Sequence, residues 1–232
     1  MSHPAPPPAS PSSLLQQKFH QAPLYAILDT ALQSDLSPAA LAGALLRAGV
    51  RVLQYRHKAS FRRANFDECC ALAELVHKAG GVFIVNDRAD LAALCHADGV
   101  HLGQQDLPPE KARQFLGPAA ADAKIIGYST HNRAQAELAA RLPVDYIAIG
   151  PVFPTKTKKD PDPVVGLGFI SEVRRITEKP LVAIGGITLE NAPAVLQAGA
   201  DAVAVASDLL RDSNIERRVR EFLSSLHRGG SK

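Results

Sequence analysis

Apolar residues along this chain fall into two alternating patterns. Short runs of Val, Ile, Leu and Ala recur, separated by longer Ala- and Leu-rich segments whose apolar positions return at helical spacing. The short runs predict strands at 24–28, 52–56, 82–85, 99–102, 125–127, 146–150, 181–184 and 202–205. The longer segments predict amphipathic helices at 38–48, 66–79, 89–96, 109–116, 132–141, 169–176, 191–198 and 214–227. Ala48-Gly49, Ala79-Gly80 and Ala198-Gly199 are helix stops, because glycine takes the left-handed conformation that ends a helix. Apolar runs without strict alternation suit parallel strands covered by helices, and eight such βα units close most economically as a (β/α)₈ barrel. An open doubly wound sheet is the alternative, but Leu28-Asp29-Thr30 after the first strand lacks the glycine-rich turn such sheets carry.

The expected domain organisation is one barrel over 22–228, preceded by a disordered tail over 1–21 rich in proline. Pro4, Pro6, Pro7, Pro8 and Pro11 deprive that tail of backbone donors, and it has little apolar surface to bury. It lacks the basic and apolar regions of a signal peptide, and no apolar run in the 232 residues approaches a membrane span, so no membrane partner is expected. A net charge of +3 and 5% aromatic residues leave little basis for a nucleic-acid partner. Cys69, Cys70 and Cys95 have neither metal-ligand nor redox spacing and read as small buried residues of a cytoplasmic protein.

In a barrel, chemistry collects where the strands end. The second strand leads into Gln54-Tyr55-Arg56-His57-Lys58, where alternation puts Gln54, Arg56 and Lys58 on one side. The third leads into Asn86-Asp87-Arg88, the fourth into His101 and then Asp106, and the fifth into Ser129, Thr130 and His131. Asp87 and Asp106 follow neighbouring strands and offer the hard oxygen ligands that suit Mg²⁺, although helix capping or ion pairing explains either one alone. Asn86 and Ser129 can cap helices or donate to a phosphate, and His101 and His131 have no Ser or Cys nucleophile beside them in sequence, which favours structural roles. The sixth strand runs into Gly150-Pro151-Val152-Phe153-Pro154-Thr155-Lys156-Thr157-Lys158-Lys159, a rigid exit rich in hydroxyls and ammonium groups. Gly185-Gly186 after the seventh strand and Ala206-Ser207 after the eighth mark the position where barrels of this kind commonly hold a monophosphate. Two anion sites are therefore expected, one cationic with a metal and one built from neutral backbone.

These segments, in this order from about Leu24 to Leu210, resemble the thiamine-phosphate synthase family. The resemblance implies a transferase that joins a hydroxymethylpyrimidine diphosphate to a thiazole phosphate. Gln54, Tyr55, Arg56, His57, Lys58, Asn86, Ser129 and Lys158 would then hold the diphosphate substrate, with Arg56, Lys58, Ser129 and Lys158 acting on the departing group. Asp87 and Asp106 would ligate Mg²⁺, and Thr155, Lys156, Thr157, Gly186, Ala206 and Ser207 would hold the thiazole phosphate. His57 stands where the family pattern has an acidic residue. A homodimer through outer helices is a further family expectation. Competing readings are a thiazole tautomerase, which needs neither metal nor diphosphate cradle, and an idle barrel that binds a phosphorylated metabolite.

Overall fold

Eight parallel strands close on themselves in chain order: β1 (Leu24–Asp29), β2 (Val52–Arg56), β3 (Val82–Asn86), β4 (Gly99–Leu102), β5 (Ile125–Thr130), β6 (Tyr146–Ile149), β7 (Leu181–Ile184) and β8 (Ala202–Val205). The last strand pairs with the first, Leu24 opposite Val203 and Ala26 opposite Val205, so the sheet has no open edge. The helices are α1 (Pro11–Gln21), α2 (Pro38–Arg47), α3 (Arg63–Lys78), α4 (Ala89–Leu94), α5 (Pro109–Leu116), α6 (Arg133–Arg141), α7 (Gly166–Arg174), α8 (Ala192–Gln197), α9 (Ser207–Leu210) and α10 (Ile215–Gly229). This is a (β/α)₈ barrel, seen in a computed structural model that describes residues 10–32, 36–117, 123–155, 162–212 and 214–229. Among the described residues no helix is long and apolar enough to cross a membrane.

Alternation along each strand sorts its side chains into two cores. Leu53, Tyr55, Phe83, Val85, Ile147 and Ile149 face outward and pack under the helices. Val52, Val82, Ile84, Ile125 and Val182 face inward and fill the barrel. Three strands run further than their apolar runs, to Asp29, Asn86 and Thr130. Polar residues continue the ladder there because Asp29, Asn86 and Ser129 keep the inward phase and meet the cavity.

The expected tail over 1–21 needs correction where it is described. Pro11–Gln21 is a helix, started by the Ser10 side chain, which accepts from Ser13 N–H at 3.2 Å, with proline in the first turn, where its missing N–H costs nothing. Leu15 and Phe19, fully or almost fully buried, plug the N-terminal end of the barrel and join its inner core. Proline content hid a helix whose apolar spacing was legible. Residues 1–9 lie outside the described residues. The four-residue α9 was likewise not expected.

A repeated device ties the barrel's base. Asp98, Asp145 and Asp201 each directly precede an even-numbered strand and accept the backbone N–H of Phe83, Ile126 and Leu181 at 2.7, 2.8 and 2.7 Å. Each also pairs with a side chain from the helix one βα unit earlier: His77 of α3 at 2.9 Å, Arg113 of α5 at 2.5 Å and Arg174 of α7 at 2.9 Å.

Candidate active site

The inward polar residues at the C-terminal strand ends line one cavity, and its charged half comes from β1 to β5. Asp29, 3% exposed, ends β1 and lies opposite Arg56 in the parallel register. Its carboxylate accepts from the Arg56 guanidinium and from Ala31 N–H, so the arginine is held at the mouth by an ion pair anchored in the strand. Lys58 reaches across to Asp87 at 2.5 Å. Asp87 has φ of 64°, a left-handed conformation uncommon outside glycine, and is held there by its N–H donating to His101 O at 2.7 Å. Asp106 returns from the loop after β4 and accepts from Gly103 N–H at 2.7 Å. Burial first, and then the neighbouring Asp87 carboxylate, push the Asp106 carboxyl above its ordinary pKa, while Lys58 opposes the shift.

Those two carboxylates suit a divalent cation, since a bound cation relieves both their mutual repulsion and the cost of burying charge. The charge balance supports the same fit. Among the described lining residues three carboxylates, Asp29, Asp87 and Asp106, face two full cations, Arg56 and Lys58. A diphosphate entering such a mouth needs additional positive charge. Asn86 Nδ2 is buried beside the cavity without a hydrogen-bond partner, a donor suited to an incoming oxygen.

Deeper in the barrel lies a chain of polar side chains. Gln54 Nε2 donates to the Tyr25 hydroxyl at 3.0 Å, and the Tyr25 and Tyr146 hydroxyls are 2.9 Å apart. His101 Nδ1 lies 2.8 Å from Tyr146 Oη, and its Nε2 lies 2.8 Å from Ser129 Oγ. Gly127 makes room for this arrangement, because a Cβ there would sit 2.0 Å from the Tyr146 ring.

The other half of the mouth is neutral. Gly185 and Gly186, with φ of 97° and 64°, pack so closely on the loop after β6 that a Cβ on either would lie within about 2.5 Å of Pro151 or of Pro154 O. Val152 and Phe153 N–H donate to Ile184 O and Gly185 O at 2.9 Å, and Asn191 Nδ2 donates to Gly186 O at 3.0 Å. The short α9 opens toward the same place at Ala206 and Ser207, where the first N–H groups of a helix have no partners within it. Asp208 points the opposite way, accepting from Arg218 at 2.8 Å and from Leu189 N–H at 3.1 Å, which ties α9 to α10 and to the loop after β7.

Of the expected residues, Gln54, Arg56, Lys58, Asn86, Asp87, Asp106, Ser129, Thr155, Gly186, Ala206 and Ser207 line this cavity together. Tyr55 does not. It takes the outward phase of β2, is 1% exposed, and its hydroxyl donates to Glu68 at 2.7 Å, so its expected substrate contact is corrected to a place in the outer core. His57 also stays outside the cavity lining, with Nδ1 2.8 Å from Thr30 Oγ1 and its ring stacked on Tyr55. Lys156, Thr157 and Lys158 lie outside the described residues. Asp29, Tyr25 and Tyr146 were missed, although each holds the inward phase of its strand. His131, expected to be structural, lines the cavity with Nδ1 2.6 Å from Gly150 O.

A family model described as thiamine monophosphate synthase matches residues 24–209. The chain is 47% identical over 208 residues to the thiamine-phosphate synthase of Koribacter versatilis, spanning 88% of this chain and 95% of that one. It is 42% identical over 205 residues to that of Lawsonia intracellularis, spanning 88% of this chain and 93% of the relative. The solved thiamine phosphate pyrophosphorylase of Pyrococcus furiosus superposes with a TM-score of 0.81 at 30% identity, covering 92% of this chain and 99% of that structure. With a barrel of this topology, a mouth of this composition and similarity over nearly the full length of such relatives, the chain belongs to the thiamine monophosphate synthase family.

Proposed function

We propose that this protein is the transferase that joins 4-amino-2-methyl-5-(diphosphooxymethyl)pyrimidine to thiazole phosphate, giving thiamine phosphate and pyrophosphate. The observation that carries the reading is the division of one cavity into a charged half, with Arg56, Lys58, Asn86, Ser129 and the Asp87–Asp106 pair, and a neutral backbone half at Gly186, Ala206 and Ser207. A diphosphate suits the first and a monophosphate the second.

In the reaction the bond between the pyrimidine methylene carbon and the diphosphate oxygen breaks, its electron pair leaving with pyrophosphate. The thiazole nitrogen lone pair then forms the new C–N bond, so no protein nucleophile and no proton transfer are required. Arg56 and Lys58 stabilise the negative charge that grows on the leaving group, which lowers the barrier to ionisation. Asn86 and Ser129 orient the same group by hydrogen bonds, and Lys158, which follows β6 in sequence, would act on it as a further cation. The backbone at Gly186, Ala206 and Ser207, with Thr155, holds the thiazole phosphate in line with the methylene carbon, and Lys156 and Thr157, which follow Thr155 in sequence, would contribute further donors to it. Asp87 and Asp106 would hold Mg²⁺, which supplies charge neutralisation for the diphosphate. The aromatic and aliphatic floor at Tyr25, Ile27 and Ala148 suits the flat pyrimidine and keeps water from the cation.

Coupled pyrophosphate release with both substrates, with Mg²⁺ and with chelator, tests the function. Release that requires both substrates and the metal is expected, with thiamine phosphate as product. Folded protein that binds thiazole phosphate without releasing pyrophosphate would instead be a tautomerase or an idle barrel. Asp87→Ala is expected to lower turnover at least a hundredfold while the far-ultraviolet circular dichroism is retained, a loss of about 3 kcal/mol of transition-state stabilisation. A cytoplasmic location suits the free thiols Cys69, Cys70 and Cys95. A homodimer through the outer helices suits the exposed Leu94, Phe115 and Leu138 on α4, α5 and α6, and light scattering at micromolar protein tests it.

A further inference from the structure

The polar chain beneath the charged half of the mouth has a direction. Gln54 Nε2 donates a hydrogen bond to the Tyr25 hydroxyl. Burial pushes both the Tyr25 and the Tyr146 phenols well above their ordinary pKa, so each stays protonated with a single O–H to donate. With Gln54 as donor at one end, Tyr25 donates to Tyr146, and Tyr146 donates to His101 Nδ1. A neutral His101 then carries its proton on Nε2 and donates to Ser129 Oγ. The serine, having accepted, keeps its own hydrogen to give away, and Ser129 lines the cavity. Reversing only the bond between the tyrosines would crowd two donors onto Tyr25 and strand its buried proton, which costs about 1–3 kcal/mol. Reversing the whole line would need Gln54 to present its carbonyl and would leave Ser129 offering lone pairs to an anion.

We propose that Tyr25, Tyr146 and His101 are positioning residues whose one-way line of donors holds His101 as the Nε2–H tautomer and turns the Ser129 hydroxyl hydrogen toward the anionic end of the substrate. The first half stands on the hydrogen-bond geometry with His101 neutral, so that Nδ1 accepts, and the second rests on the proposed binding of a diphosphate beside Ser129. Gly127 is part of the device, because only a residue without a Cβ lets the Tyr146 ring reach His101.

Two measurements test the two halves. Two-bond ¹H–¹⁵N correlation on histidine-labelled, ligand-free protein, with His101 assigned by its loss in His101→Asn, reads the tautomer directly. An Nε2–H pattern in the wild type, becoming mixed in Tyr25→Phe or Tyr146→Phe, is expected. An Nδ1–H pattern, or a pattern unchanged by both variants, overturns the proposal. Calorimetric titration with pyrophosphate and Mg²⁺ then reads the anion site. Tyr146→Phe is expected to weaken pyrophosphate about tenfold, the scale of one hydrogen bond to a charged group. Ser129→Ala should cost about the same, and the double variant no more than either alone, because both act through one hydroxyl. Thiazole phosphate affinity should stay within twofold. Additive losses would mean that Tyr146 does not act through the Ser129 hydroxyl and would overturn the anion half. Wild-type protein that fails to bind pyrophosphate would overturn the diphosphate reading and the anion half with it, while the tautomer measurement still judges the line itself.

Discussion

The Asp106 carboxyl shows how burial and a like charge act on a single residue of the mouth. Its folded pKa is raised, first by burial and then by Asp87, so the folded chain binds this proton more tightly than the unfolded chain. Stability in metal-free buffer therefore falls as pH rises from about 4 through the raised value, and then levels off. Asp106→Asn is expected to flatten that slope in urea titrations across the acidic range. At the proposed site Mg²⁺ would stabilise the wild type by about 2.7 kcal/mol at a hundred times the dissociation constant, and the same variant should lose that stabilisation. Persistent Mg²⁺ stabilisation of Asp106→Asn would count against the metal assignment. Asp87 and Asp106 were readable as a pair because each follows a strand, whereas Asp29 was not, since its importance comes from the Arg56 guanidinium opposite it. Gly127→Ala should destabilise by about 1–3 kcal/mol in urea, because its Cβ meets the Tyr146 ring and the core is already filled.

At the scale of elements, α1 and α9 carry the new content. Burial of Leu15 and Phe19 closes the end of the barrel opposite the active site. Leu15→Ala is expected to cost about 2–5 kcal/mol and Phe19→Ala about 3–5 kcal/mol by urea midpoint. KM for both substrates should stay unchanged, and a changed KM would mean that α1 communicates with the mouth. The strand segments were legible because buried parallel strands are short and apolar, and seven of the helices beyond α1 and α9 start or stop on Gly, Pro, Asn or Ala signals near their expected bounds. α9 escaped because four residues are too few to show a periodicity. Its orientation depends on Arg218, ten residues beyond Asp208 and carried on the next helix. Arg218→Ala should loosen α9, raising KM for thiazole phosphate several-fold more than KM for the diphosphate substrate.

The whole molecule is organised in pairs of βα units, as the aspartates at its base show. Asp98, Asp145 and Asp201 occupy equivalent places, but their surroundings differ. The Arg113–Asp145 pair has both side chains 10% exposed, against 29% for Asp98 and 35% for Asp201. Breaking a buried pair leaves an uncompensated charge, at a cost of about 3–5 kcal/mol, while water screens the others. The expected order of destabilisation in urea is Asp145→Ala well above Asp98→Ala and Asp201→Ala, and equal losses would contradict the burial argument.

Local periodicity by itself determined the barrel, because the alternation of apolar strands and amphipathic helices is written in short stretches of chain. It also located most mouth residues, since a barrel gathers whatever follows its strands. Only the tertiary structure decided which phase of each strand looks inward, and so turned Tyr55 away and brought Tyr25, Tyr146, His101 and Ser129 into one hydrogen-bonded line. Tyr25 and Tyr146 are separated by 121 residues and meet only when the cylinder closes. A contact of that separation has no local signature, because its energy is realised only when every intervening strand is already in place.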